Sequence, residues 1–198
     1  MTRHVVLVPG LWMPAAAMGL LAARLPDFQA RTFPYSGRRS HEANAEALAR
    51  FANGGAFFVG HSLGGVLVLD MLNRHPEIEA RGVVLLGAPV RGCLAGRRLG
   101  RGRIGGWMMG ACSSLWDERT ARWTRPAPLG VIAGTLPMGL GRALGALPGP
   151  NDGVVCVEET TVEGMRAREL VRQGHSMLIL SSGVGRLVGR FLASGRFS

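Results

Sequence analysis

The sequence predicts an α/β fold: a doubly wound, mainly parallel six-stranded sheet flanked by helices. Short apolar runs rich in β-branched residues alternate with longer helix-compatible segments through most of the chain. The runs are continuous rather than alternately apolar and polar, as in strands covered on both faces. Over residues 56–72 an apolar run, a glycine-bounded turn with serine at its apex and a helix-compatible segment follow directly on one another.

Taken in order, Val5-Val6-Leu7-Val8 is the first strand, broken by Pro9-Gly10-Leu11-Trp12. A helix is expected over 14–25, with Pro14 at its start and Pro26 stopping it. Residues 29–33 form a weaker second strand, and 40–52 a polar, alanine-rich helix with Ser40 as N-cap and Gly54-Gly55 closing it. The third strand covers 56–60, and the helix after the serine turn covers 63–74. Strands at 82–86, 129–133 and 169–171 complete the sheet, the fourth strand ending in Gly87-Ala88-Pro89. An amphipathic helix over 178–193, weakened by Gly183, Gly185 and Gly189, closes the chain.

Residues 91–128 interrupt this alternation and are long for a loop. Their first part, 97–103, is basic and glycine-rich, and their second, 104–116, gathers Trp107, Met108, Met109, Leu115 and Trp116. So many apolar side chains need a partner. Loops at the carboxyl ends of strands surround ligand sites in such sheets. The expectation is a small lid or cap-like insertion after the fourth strand, within a single domain spanning 1–198. A surface excursion whose aromatics fill local core is the rival reading.

At 198 residues the chain has ample length for one core. The net charge of +10 is carried entirely by arginine, with no lysine. Such a balance can favour nucleic acid, an anionic membrane surface or acidic substrates, and a basic surface that binds nothing is the rival reading. A nucleic-acid binder using 97–103 is kept as an alternative, with peripheral contact to an anionic membrane preferred. Cys93, Cys112 and Cys156 are widely spaced and odd in number, which argues against a disulfide framework or a zinc site. No signal-peptide pattern and no apolar run of membrane-spanning length is seen, so the expected location is cytoplasmic.

The chemistry gathers around Val59-Gly60-His61-Ser62-Leu63-Gly64-Gly65. A serine at the apex of so tight a turn sits at positive φ, and Gly60 and Gly64 let strand and helix pass closely. The pattern resembles the nucleophile elbow of the α/β-hydrolases. A serine hydroxyl needs a histidine to take its proton, an acid to orient that histidine, and amide donors for the oxyanion. In that fold the chain order is serine, acid, histidine. Downstream of Ser62, His75 ends the elbow helix and reads as a surface or capping residue, whereas His175 lies in Gly174-His175-Ser176 after the last strand.

Among the acids, Asp70 lies inside the elbow helix and Asp117 inside the insertion. Glu158, Glu159 and Glu163 read as a solvated helix face. Asp152, in Pro150-Asn151-Asp152-Gly153-Val154-Val155, sits between the fifth and sixth strands and is the candidate acid; turn chemistry is its rival reading. The oxyanion donors would be the backbone amides of Leu63 and Leu11, with Gly10 admitting the substrate oxygen. Trp12, Trp107 and Met108 are candidate substrate-binding residues, and His61 reads as a residue that packs or bonds structurally.

Taken together, these motifs resemble the α/β-hydrolase superfamily, and within it the small bacterial lipase/esterase-like members, over nearly the whole chain. The resemblance implies a minimal α/β-hydrolase fold with strand order 2-1-3-4-5-6. It also implies a carboxylic ester hydrolase working through an acyl-enzyme, with no metal or cofactor, on small-molecule esters including lipids. An acyltransferase using the same residues and a non-catalytic binding protein of this fold are the alternatives. Two departures stand out: Pro9 replaces the usual histidine before the oxyanion glycine, and the two leading antiparallel strands of larger members are absent.

Overall fold

The computed structural model describes residues 3–52, 54–102, 116–138 and 145–198. The six expected strands become β1 (His4–Val8), β2 (Gln29–Thr32), β3 (Ala56–His61), β4 (Ala80–Leu86), β5 (Leu129–Gly134) and β6 (Ala167–Val171). They form one sheet in the order β2-β1-β3-β4-β5-β6, and every neighbouring pair is parallel. The direction of winding reverses between β1 and β3, which opens a crevice at their carboxyl ends.

Helices cover both faces. A 3-10 turn (Ala15–Met18) runs into α1 (Gly19–Ala22); α2 (His41–Ala52), α3 (Leu63–Arg74), α4 (Leu94–Gly100), α5 (Met177–Leu180) and α6 (Ser182–Ser194) follow. Successive strand residues point to opposite faces. Val6, Val8, Phe58 and Leu85 therefore pack with Leu48 of α2 and Leu67 of α3. Val5, Leu7, Val59 and Val84 pack on the other face with Met18, Leu21, Val188 and Phe191. Each such side chain taken out of water contributes about 1.5–3 kcal/mol. The four inner strands, covered on both faces, read as hydrophobic runs, whereas the edge strands β2 and β6 are half-exposed and mixed in polarity.

Two helices differ from expectation. The segment at 14–25 is a 3-10 turn followed by one α-turn, with low-propensity Gly19 at the junction. The final helix is split, because Ser181 takes an extended ψ of 125° and its hydroxyl accepts from the Val184 amide, capping α6 afresh.

The described parts of 91–128 are tied down rather than free. Cys93 Sγ accepts from the Gly96 amide at the start of α4. Trp116 is a correction to the lid reading: it is buried, its indole packs against Gly96, and its carbonyl accepts from Cys93 N–H. Arg119 donates to Asp70 Oδ2 on α3 at 3.0 Å and to the Val90 carbonyl at 2.9 Å. Trp107, Met108, Met109 and Leu115 lie outside the described residues. Glu159 is a second correction. Instead of simply facing solvent it is half-buried, and its carboxylate accepts from the Leu94 amide at 2.6 Å and the Cys156 amide at 2.8 Å. Burial pushes its pKa up against those hydrogen bonds. Glu158 and Glu163 do face solvent and pair with Arg91 and Arg122. Among the described residues no helix is long and apolar enough to cross a membrane.

Candidate active site

The turn between β3 and α3 is built by close approach. A β-carbon at Gly60 would collide with the Gly65 backbone, and one at Gly64 with the carbonyls of Val8 and Pro9. Ser62 at the apex has φ 53° and ψ −128° and is held by donation of its amide to the Leu86 carbonyl, 2.9 Å away. A serine at positive φ is strained, and the packing around it enforces that conformation. Leu63 is the first residue of α3, so its amide is one of those with no acceptor inside the helix.

The structure brings Ser62, His175 and Asp152 together. Ser62 Oγ lies 2.9 Å from His175 Nε2. His175 Nδ1 lies 2.7 Å from Asp152 Oδ2. Asp152 is 1% exposed, and its other oxygen, Oδ1, accepts from the amides of Val154 at 3.0 Å and Val155 at 2.7 Å. A carboxylate engaged in this way only accepts, which assigns the proton of His175 to Nδ1 and leaves Nε2 to accept from the serine hydroxyl. The two loops are joined directly by donation of the His175 amide to the Asp152 carbonyl, 2.9 Å.

The other candidates are elsewhere. Asp117 is exposed. Asp70 is engaged by His41 at 2.8 Å and by Arg119. Burial pulls the Asp70 pKa up, but those two partners outweigh it and hold it below the usual carboxylate range. His75 follows the last residue of α3 and bonds Glu77 and Glu46.

The loop after β1 forms a turn in which Met13 N–H donates to the Gly10 carbonyl at 3.2 Å. Leu11 and Trp12 occupy its centre. Trp12 has φ 61° and is 58% exposed, at a turn position that glycine or asparagine normally fills. Among the described residues, Trp12 and Ser62 are the non-glycine residues at positive φ, and both belong to loops at this crevice.

Two residues matter here more than the sequence suggests. Gly87, at φ 52°, lies beneath the aspartate–histidine pair: a β-carbon there would sit 3.0 Å from Asp152 Oδ2 and 3.3 Å from His175 Nδ1. Its signal in the sequence is a glycine immediately after a buried strand. His61, read as merely structural, contacts the backbone of His175 across 114 positions, a contact that local sequence cannot reveal.

Sheet order, serine turn and the two loops at the far end of the sheet define an α/β-hydrolase fold. Solved structures of that fold match over nearly the full chain. The mature lipase BlEst2 of Bacillus licheniformis is 16% identical, with a TM-score of 0.69 over 97% of this chain and 91% of its own. A lipase-esterase related protein of Clostridium acetobutylicum is 14% identical, with a TM-score of 0.66 over 96% and 94%. The NocB thioesterase domain, seen in covalent complex with a fluorophosphonate nocardicin G analogue, is 15% identical, with a TM-score of 0.64 over 96% and 94%. No protein-family model and no curated protein matches the chain.

Proposed function

We propose that the protein is a serine hydrolase of carboxylic esters. The observation that carries this reading is the continuous chain of contacts from Ser62 Oγ through His175 to Asp152, at 2.9 and 2.7 Å. Ser62 Oγ attacks the ester carbonyl as His175 Nε2 takes its proton. Asp152 steadies the imidazolium that forms. The amides of Leu63 and Leu11 receive the oxyanion, the first of them aided by the N-terminal end of the twelve-residue helix α3. His175 then returns the proton to the departing alcohol, leaving an acyl-Ser62. Water, deprotonated by the same histidine, releases the acid.

In this reading Trp12 contacts the acyl group, and Trp107 and Met108, outside the described residues, are further substrate-binding candidates. The substrate is a small ester, lipids included, and the arginine-borne charge brings the protein to anionic surfaces. Two arginines of the basic run already have partners within the chain: Arg97 pairs with Glu118 and Arg98 donates to the Ala146 carbonyl.

The test is hydrolysis of nitrophenyl esters of graded chain length, with covalent labelling by a fluorophosphonate located by mass spectrometry. Turnover that disappears in Ser62→Ala, with the label on Ser62, supports the reading. Turnover near wild type in Ser62→Ala, or no label, defeats it. Release of acyl product onto an added alcohol in preference to water would make the enzyme an acyltransferase. Replacing Trp107 by alanine should weaken long esters selectively, since each buried methylene contributes about 0.8 kcal/mol.

A further inference from the structure

His61 ends β3, directly before Ser62, and is 1% exposed. Its ring lies between two loops of the site. On one side Nε2–H donates to the backbone carbonyl of His175 at 3.1 Å, and the two imidazole rings are 4.8 Å apart and tilted by 44°. On the other side Nδ1 faces Gly10, where a β-carbon would sit 3.0 Å from Nδ1 and 3.1 Å from Ser62 Cβ. Donation from Nε2 leaves Nδ1 as a bare acceptor, and among the described residues Nδ1 is buried without a hydrogen-bond partner.

An unpartnered buried acceptor is destabilising, and one hydrogen bond to a neutral carbonyl does not clearly offset it. An apolar side chain of similar volume would fill the space without that penalty. What histidine supplies is an N–H aimed at the His175 backbone from a flat ring that carries no charge. Burial, followed by the neighbouring His175, brings the His61 pKa down to about 3. Positive charge can therefore build on His175 without a second cation beside it.

We propose that His61 is a positioning residue. It latches the backbone of His175 through Nε2–H and, as a neutral spacer, sets the gap between the His175 loop and the Gly10 loop, keeping the His175 ring on Ser62 through turnover. The proposal rests on the serine-nucleophile reading above.

The experiment follows the rate of Ser62 labelling by a fluorophosphonate, which needs no knowledge of the natural substrate. His61→Phe keeps a flat ring and removes both nitrogens, whereas His61→Gln returns an N–H near the Nε2 position. Labelling should slow about tenfold or more in His61→Phe, since displacement of a reacting group by a fraction of an ångström is costly. The downfield proton NMR resonance of the His175–Asp152 hydrogen bond should broaden or vanish with it. His61→Gln should recover most of the rate and the resonance.

Labelling of His61→Phe at the wild-type rate, or equal slowing in both variants in step with their melting temperatures, overturns the proposal. If His61→Phe does not fold, His61→Asn takes its place. Its amide nitrogen reaches only the Nδ1 position, so it should label slowly where His61→Gln does not, and equal rates overturn the latch. Failure of the wild-type protein to label at Ser62 is a separate result, which removes the serine reading itself and the proposal with it.

Discussion

Asp152→Asn is a sharper perturbation than its size suggests. Asp152 Oδ1 accepts two backbone amides, from Val154 and Val155, and Oδ2 faces His175 Nδ1. An asparagine can keep both amide bonds only by placing its carbonyl oxygen at the Oδ1 position. Its NH2 then faces His175 and donates, so Nδ1 must accept and the ring proton moves to Nε2. There it points at Ser62, and under the proposed function the histidine can no longer take the serine proton. Turning the amide over restores the tautomer but sets NH2 against two buried N–H groups, at about 1–3 kcal/mol for each one left unsatisfied. The wrong tautomer therefore prevails.

Loss of this orientation costs on the order of 10⁴ in turnover where it has been isolated in a serine protease, or about 5 kcal/mol of transition-state stabilisation. The assay is turnover of a nitrophenyl acetate alongside thermal unfolding, with Asp117→Asn as the control. The expected result is loss of about four decades in Asp152→Asn at nearly unchanged melting temperature, and little change in Asp117→Asn. A loss under about tenfold, or an equal loss in Asp117→Asn, would refute the reasoning and return Asp152 to an ordinary turn residue.

Gly87→Ala should fold poorly or lose activity, because its φ of 52° disfavours alanine and the new methyl would lie 3.0 Å from Asp152 Oδ2; parallel measurement of melting temperature and labelling rate checks this. Trp116→Ala should destabilise the fold by about 3–5 kcal/mol, measured by urea unfolding, and should depress short and long esters alike, as a core residue would and a pocket wall would not. The Asp70 pKa is held below the usual carboxylate range, so the stability it supplies is complete above the ordinary aspartate pKa and disappears as pH falls through the lowered value. Urea unfolding of Asp70→Asn across acidic pH should show a shallower acid limb than wild type, and an identical limb would mean that the His41–Asp70–Arg119 cluster carries no net charge coupling.

The centre of the sheet was legible because β1, β3, β4 and β5 are buried on both faces, and burial leaves continuous apolar runs that need no knowledge of the partner. The edge strands β2 and β6 are half-exposed and left only a weak signal. The Ser62 turn was legible because its glycines flank the serine at fixed spacing, Gly60 answering the Gly65 backbone within the turn, although the demand on Gly64 comes from the distant carbonyls of Val8 and Pro9. Asp152 and His175 could be selected by chain order and by their place after strands. Trp116 was misread because its partners, Gly96 and the Cys93 amide, lie twenty or more positions away, and an apolar cluster looks alike whether it covers a pocket or fills a core. Glu159 was misread for a similar reason: three acidic residues within six positions resemble a solvated face, and only the fold brings the Leu94 amide to one of them.

The serine and its partners hang from opposite parts of the sheet. Ser62 is set by β3, at the centre, whereas Asp152 and His175 ride on chain leaving β5 and β6, the latter at the outer edge. Those two loops are fastened to one another, through the His175 amide on the Asp152 carbonyl and the Leu136 amide on the Gln173 carbonyl, and the His175 loop reaches the sheet centre through His61 on its carbonyl and its own ring on Ser62. An edge strand has only one neighbour to hold it. On gentle heating this flank should therefore detach as a unit while the central strands remain paired. Under the proposed function, ester turnover would then fade several degrees before the circular-dichroism signal of the helices, and a fluorophosphonate would count the molecules with a seated edge rather than the molecules with a folded centre.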